Sequence, residues 1–326
     1  MPVRNLVFQG GGVKGIAYVG VLGALEAANT LASVTRVAGT SAGAITAALV
    51  ACGATADDLS NALTHTSFGS FADGGGGVLG DADRLMRQGF GIHPGATIET
   101  WLQAQIGAVT GRLLGTPRPD LTLGALHDLV VSHGAPFREL FVISTDLCNQ
   151  RAQVLSAATA PDLVVWRAVR MSMSIPIFFA SVQERDTWWA DGAVSWNYPI
   201  DLFDGVRRQP VDQTQLPDAG GDDDETIGFC MGTQAEVAAL RSGWQLPPVA
   251  ITDFATYMSS LVSFLLNEST LLHLDADDLA RSVFIDVAGV RTTQFDLTAD
   301  QAATLVANGR SATQAFLSAH AAVVAS

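Results

Sequence analysis

Two glycine-rich turns near the N-terminus constrain this chain more than any other feature. Gly10-Gly11-Gly12-Val13-Lys14-Gly15 follows the apolar run Leu6-Val7-Phe8, and Gly39-Thr40-Ser41-Ala42-Gly43 follows a second run over residues 34–38. Each turn leads into a stretch of helical character. Residues 16–28 put Val19, Leu22 and Leu25 on one face, and residues 44–52 are small and apolar. Strand, glycine loop, helix, strand, turn, helix is a βαβα opening, which calls for a parallel sheet with crossover helices.

A serine between two glycines at a strand-to-helix junction is the nucleophile-elbow pattern. Gly39 and Gly43 allow the sharp turn and leave room for substrate to approach the Ser41 hydroxyl. The following helix aims its positive end at the turn, which suits an anionic intermediate. Taken alone, the pentapeptide is also compatible with an ordinary structural turn. The first glycine loop has three readings. It satisfies G-x-G-x-x-G, but a dinucleotide site wants an acid at the end of the second strand, and the serine elbow occupies that place. It is not a Walker loop, because Lys14 is followed by Gly15 rather than Ser or Thr. The third reading is an oxyanion hole built from Gly10, Gly11, Gly12 and Val13, with Lys14 and Gly15 supporting the loop. Adjacent parallel strands set the two turns side by side, so this reading explains both motifs together.

Further along, residues 54–66 read as a helix. Residues 67–95 are glycine-rich and contain Asp73-Gly74-Gly75-Gly76-Gly77, the composition of a lid or a surface loop. Helices are expected over 96–106 and 123–131, and a strand over 139–144 leads to Asp146, for which a loop-capping role is expected. A paired strand over 151–156, a helix over 160–174 and strands over 177–182 and 187–190 follow. The last of these delivers Asp191-Gly192-Ala193, an acid at a strand end, although Asp-Gly is mostly turn chemistry. Residues 209–225 are rich in Pro and Asp and read as a solvated loop. A strand over 226–231, a long apolar helix over 251–272, a strand over 281–287 and a closing helix from 297 complete the chain. No repeat or domain boundary is visible, so residues 1–326 are expected to form one domain.

The formal net charge of −14 argues against nucleic acid as a partner and against electrostatic binding to anionic membranes. Cys52, Cys148 and Cys230 have neither metal-site spacing nor the look of a disulfide framework, and read as small buried hydrophobes. Residues 1–4 run straight into the first strand without a signal-peptide pattern. The longest apolar stretch, 254–266, is interrupted by Thr and Ser and is too short for a bilayer, which takes about 20 residues. A soluble, cytoplasmic protein is the expectation.

Four blocks in this order resemble the patatin-like phospholipase family of lipid acyl hydrolases. They are Phe8-Gln9-Gly10-Gly11-Gly12-Val13-Lys14-Gly15, the elbow, Arg170-Met171-Ser172-Met173-Ser174-Ile175-Pro176-Ile177-Phe178-Phe179, and Asp191-Gly192-Ala193-Val194-Ser195-Trp196-Asn197-Tyr198-Pro199. The resemblance covers roughly residues 3–205, with residues 206–326 completing the fold. It implies a three-layer α/β/α fold with a central, mainly parallel sheet. It also implies a Ser–Asp dyad of Ser41 and Asp191, with the glycine loop as oxyanion hole; no His/Asp metal cluster is visible in the sequence, and no cofactor is expected. The implied substrate is a lipid or fatty acyl ester, met at a membrane or micelle surface by a peripheral protein. Ala193 departs from the second glycine that many members carry. Trp188 or Trp189 is expected to shield the acid from water, alternation allowing only one of them on its face. Two other readings stand beside this one: an α/β-hydrolase with Ser41, Asp191 and His273 as triad, and a non-catalytic lipid-binding protein. The former fold places its nucleophile after several strands, whereas Ser41 follows only two.

Overall fold

The first apolar run forms β1, Asn5–Phe8, buried along its whole length and flanked on both sides by parallel partners. The structure is a computed structural model that describes residues 3–324 apart from 65, 67, 75, 76, 88, 205–224, 243–247, 249, 254, 255, 258, 259, 262, 265–268 and 271–273. After β1 come a 3-10 turn, Gly12–Ile16, then α1 (Ala17–Ala27), β2 (Arg36–Thr40), α2 (Ala42–Ala51) and α3 (Ala56–Thr64). Next are α4 (Gly77–Arg87), β3 (Gly91–His93), α5 (Ala96–Leu114), α6 (Leu123–His133), β4 (Glu139–Asp146) and β5 (Arg151–Leu155). They are followed by α7 (Val165–Ser172), β6 (Ile177–Phe179), β7 (Val182–Glu184), β8 (Thr187–Asp191) and α8 (Ala193–Trp196). The C-terminal part supplies β9 (Thr226–Gly232), β10 (Ser282–Asp286) and a terminal helix, Ala299–Val324.

Eight strands form the central sheet in the order β10-β9-β1-β2-β4-β8-β7, with β5 also paired to β4. The β10–β9, β9–β1, β1–β2 and β2–β4 pairs are parallel; those of β4 with β5 and β8, and of β7 with β8, are antiparallel. Strands from both ends of the chain therefore share one mainly parallel sheet, and buried apolar side chains pack on each of its faces. One face carries α1, α2, α7 and the terminal helix, which lies along α1. The other is covered by α8 and the segment after it, where Trp196, Tyr198, Ile200, Leu202 and Phe203 pack on Val7, Ala38 and Ile143.

Strand register explains how two distant residues meet. Thr40, the last residue of β2, pairs with Ile143 of β4, and Asp191, the last residue of β8, pairs with Ser144. Residues 144–146 also pair with β5, and 142 and 143 pair with both β2 and β5. A strand has two edges, so β2 and β8 share one edge of β4 and β5 holds the other. On that shared edge β2 and β8 run head to head, and their C-terminal ends occupy successive positions. The residue that follows Thr40 is Ser41.

Several expectations differ from the structure. The glycine-rich stretch 67–95 is not a featureless loop, because it contains α4 and β3. Asp73 ties it down: its carboxylate accepts the N–H groups of Gly95 and Thr97 at 2.7 and 2.8 Å, at the start of α5. The single strand expected over 177–182 is split. Ile177 has φ +71°, and β6 leaves the main sheet to pair with β3, while β7 rejoins it beside β8. Helix α7 starts at Val165 rather than 160, since residues 160–164 are turn and extended backbone. The loop expected over 209–225 lies outside the described residues up to 224, and so does much of the helix expected over 251–272.

Candidate active site

Ser41 stands between β2 and α2 with φ +53° and ψ −120°. A residue with a side chain rarely adopts that backbone, and such strain collects at functional turns. The surroundings leave little alternative. A Cβ at Gly43 would lie 2.2 Å from the Phe8 carbonyl oxygen, and one at Gly39 would lie 2.3 Å from that of Gly43. Elbow and β1 are thus in backbone contact, which only glycine permits. Helix α2 is buried throughout and starts at the residue after Ser41, so its unpaired N–H groups and positive dipole end lie at the serine.

The Ser41 hydroxyl donates a 2.7 Å hydrogen bond to Asp191 Oδ2. Asp191 Oδ1 accepts the Ala193 N–H at 2.8 Å, so both carboxylate oxygens are fixed. Ala193 therefore serves this position through its backbone, and the side chain that departs from glycine does not interfere. Ser41 is 4% exposed and Asp191 2%. Burial pushes the Asp191 carboxyl up from 3.8 to about 7, against the opposing pull of the Ser41 and Ala193 hydrogen bonds and of the Arg170 charge. Burial of this kind disfavours the charged form and makes a carboxylate a stronger base. Trp189 lies on the same strand face as Asp191, and Trp188 lies on the other, packing edge-on against Phe90.

The glycine loop lies against the elbow. A Cβ at Gly10 would come within 3.2 Å of Ser41 Cβ, and one at Gly15 within 3.0 Å of Ala42 Cβ. The loop's N–H groups divide into two classes. Gly10 donates to the Asn197 carbonyl at 3.1 Å and Val13 to the Thr292 carbonyl at 3.2 Å, so these two are engaged in holding the loop. Gly11 and Gly12 have N–H groups with no partner among the described residues. Gly12 has φ +58°, and a Cβ there would lie 2.1 Å from the Thr292 oxygen. Lys14 is partly buried, and loss of water pushes its ammonium pKa down against the attraction of Glu236.

The C-terminal turn of α7 holds both halves of the pair. Ser172 Oγ accepts the Ser41 N–H at 2.8 Å and donates to the Ile143 carbonyl. The Ser172 carbonyl accepts Gly192 N–H at 3.2 Å, and the Ser174 carbonyl accepts Asp191 N–H at 2.9 Å. Arg170, 1% exposed, donates to Ser174 Oγ and to the carbonyls of Pro94 and Ala180. Sequence reasoning gave these residues no individual role; the only signal was their place in the third block. Asn197 belongs to the same frame, its Nδ2 donating to Thr270 Oγ1 at 3.1 Å beside the Gln9–Thr270 bond.

Asp146 is a loop cap, accepting from Asn149 N and Nδ2 at 3.0 and 2.7 Å. Cys52 and Cys230 are buried, but Cys148 is exposed, in the turn after β4. His127 bonds Glu139 and His133 bonds Ser132. His65 and His273 lie outside the described residues, as do Asp222, Asp223 and Asp224. Among the described residues no cluster of His, Cys, Asp and Glu could hold a metal, and no helix is long and apolar enough to cross a membrane.

Known proteins agree with this architecture. The sequence matches the patatin-like phospholipase family over residues 6–204. It is 29% identical to the uncharacterized protein YqhO of Bacillus subtilis, covering 95% of this chain and 97% of that one. It is 24% identical to the uncharacterized protein R571 of Acanthamoeba polyphaga mimivirus, covering 90% and 87%. The crystal structure of VipD from Legionella pneumophila superposes with a TM-score of 0.61 at 19% identity, over 98% of this chain and 67% of VipD. The type III effector protein ExoU gives 0.54 at 18% identity, over 97% of this chain and 53% of ExoU. These two likenesses extend the common fold beyond residue 204, into strands β9 and β10 that complete the sheet beside β1. With the family match spanning both turns, α7 and the Asp191 block, the chain belongs to the patatin-like phospholipases, a family of lipid ester hydrolases.

Proposed function

We propose that the protein is a serine acyl hydrolase that cleaves fatty acyl esters of lipids, phospholipids included, through a Ser41–Asp191 dyad and an acyl-serine intermediate. The observation that carries this reading is the direct 2.7 Å bond from the strained, buried Ser41 to a carboxyl whose pKa is raised to about 7. An ordinary aspartate, near 3.9, is a poor acceptor for a serine proton; one near 7 is matched to neutral pH.

Ser41 Oγ attacks the ester carbonyl while its proton passes to Asp191 Oδ2. The oxyanion that forms is held by the N–H groups of Gly11 and Gly12 and by the start of α2. Each such donor is typically worth about 3–4 kcal/mol in the transition state. Collapse expels the alcohol, which takes the proton back from Asp191 and leaves the acyl group on Ser41. Water then gives a proton to Asp191 and attacks the acyl carbonyl; collapse breaks the acyl–Oγ bond, releases the fatty acid and returns the proton from Asp191 to Ser41 Oγ. Val13 and Gly10 keep the loop in place, and Lys14 and Gly15 support it from the side of α2. No step calls on a cofactor. The whole chain acts as one domain, in a cytoplasmic location with peripheral contact at membranes.

Hydrolysis of a short p-nitrophenyl ester by the purified chain and its Ser41→Ala variant tests the proposal. Wild-type turnover with less than a tenth of it in the variant is the expected result. A variant that keeps more than a tenth removes Ser41 from the mechanism.

A further inference from the structure

Two large apolar side chains are exposed beyond the dyad, past the carboxyl ends of the parallel strands, and the half-buried Trp188 links them. Phe90 is 50% exposed and Leu147 45%. Between them lies Trp188, whose ring meets that of Phe90 edge-on at 5.0 Å and whose carbonyl accepts the Leu147 N–H at 3.0 Å. Phe90 has φ +63°, a backbone that suits Gly or Asn and costs free energy in a bulky aromatic residue. The conformation is imposed from both sides: the Gly89 carbonyl accepts Ser181 N–H at 2.7 Å, and Gly91 begins β3. A phenylalanine kept in strain at the surface, where its ring gains one partner and much water, is not explained by packing.

The position of the patch follows from the register. Asp191 pairs with Ser144, and β4 and β8 run antiparallel. Leu147 lies three residues beyond Ser144 and Trp188 three before Asp191, so the patch stands about 10 Å further along the carboxyl direction of the parallel strands, at about 3.3 Å per residue, with Trp188 on the strand face opposite the Asp191 side chain. Ligands of open α/β sheets arrive from that end. The dyad is buried, so an ester in a bilayer or micelle must be delivered there.

We propose that Phe90, Leu147 and Trp188 form the face by which the protein rests on a lipid–water interface of uncharged or zwitterionic head groups. This rests on the acyl hydrolase reading above. Aromatic rings with an apolar neighbour suit the boundary between head groups and acyl chains. The net charge of −14 selects the head group: an anionic surface repels this chain, whereas a zwitterionic one leaves apolar insertion unopposed.

The test is flotation of the full chain with phosphatidylcholine vesicles, and with vesicles carrying phosphatidylglycerol, at low salt. The variants are Phe90→Asn, whose side chain suits the left-handed backbone, and Phe90→Asn combined with Leu147→Ser. Thermal melting verifies that both are folded. Wild type is expected to float with phosphatidylcholine and less with the anionic vesicles. The double variant should lose about tenfold or more in partitioning, the worth of withdrawing two large apolar side chains. Hydrolysis of a soluble ester should stay within about twofold of wild type, since neither residue touches the dyad. Wild type that does not float, variants that float as wild type does, or tighter binding to the anionic vesicles would each overturn the proposal. Flotation with no hydrolysis of the soluble ester by wild type would instead sink the acyl hydrolase reading and leave the docking face standing.

Discussion

Replacing Asp191 by Asn should destroy activity and stabilise the fold at once, and the stabilisation should depend on pH. The substitution keeps size and hydrogen bonds: the amide oxygen can accept the Ala193 N–H, and the amide nitrogen can donate to Ser41 Oγ. What it removes is the titration. Burial raises the carboxyl from 3.8 to about 7 in the folded protein, so between those values the folded chain holds a proton that the unfolded chain has lost. Stability is therefore lost as pH rises through that window, and the loss is complete above the folded-state value. Two-state linkage puts the cost at about 2 kcal/mol at pH 5 and about 4 kcal/mol at pH 8. Asn carries no such cost, so its advantage over wild type should widen by about 2–3 kcal/mol between the two pH values. Comparing the two proteins at each pH cancels the titration of every other group. Urea unfolding of both at pH 5 and pH 8 reads the difference, and hydrolysis of a soluble ester should fall by about two orders of magnitude or more. An Asn variant whose advantage does not grow with pH would refute the idea that a buried carboxyl near 7 is held at this place.

Because the unprotonated carboxylate is the base, kcat/KM on a soluble ester should rise about tenfold per pH unit up to about pH 7 and then level, standing about 100-fold below the plateau at pH 5. A half-maximum below pH 5 would mean that another group takes the proton. Ser172→Ala leaves the Ser41 N–H without its acceptor in a fully buried turn, a loss of about 1–3 kcal/mol. Acting through the position of Ser41, it should lower kcat about tenfold or more with KM within about twofold, and leave the pH midpoint in place. An unchanged kcat would show that the elbow holds without Ser172.

The parts legible in the sequence are those whose determinants are local. Strand β1 runs straight into the glycine loop and β2 straight into the elbow, and each pair is marked by an apolar run followed by glycines that the backbone contacts require. Asp191 was legible only as an acid at a strand end, and the resemblance gave it a role. The head-to-head meeting of β2 and β8 depends on which edge of β4 each strand takes, and no local pattern carries that. The stretch 67–95 misled because its glycines mark flexibility locally, while side chains between them fix the backbone, Asp73 on the Thr97 N–H and Arg84 on the Ile92 carbonyl. Strand β6 leaves the main sheet at Ile177, a β-branched residue with positive φ, the reverse of what its propensity suggests. Ser172 was hidden for a similar reason, since a serine in a helix end gives no sign that its hydroxyl holds a backbone N–H 131 positions away.

The central claim is that Ser41 is a nucleophile activated directly by Asp191. A fluorophosphonate tests it without any choice of lipid, because it reacts only with an activated serine and stays bound. The purified chain is incubated with the probe at pH 8, and the modified peptide is located by mass spectrometry. Stoichiometric labelling at Ser41 is expected, absent in Ser41→Ala and at least about 100-fold slower in Asp191→Asn, the usual worth of a general base. Labelling at another serine, or at Ser41 with an undiminished rate in Asp191→Asn, would contradict the dyad.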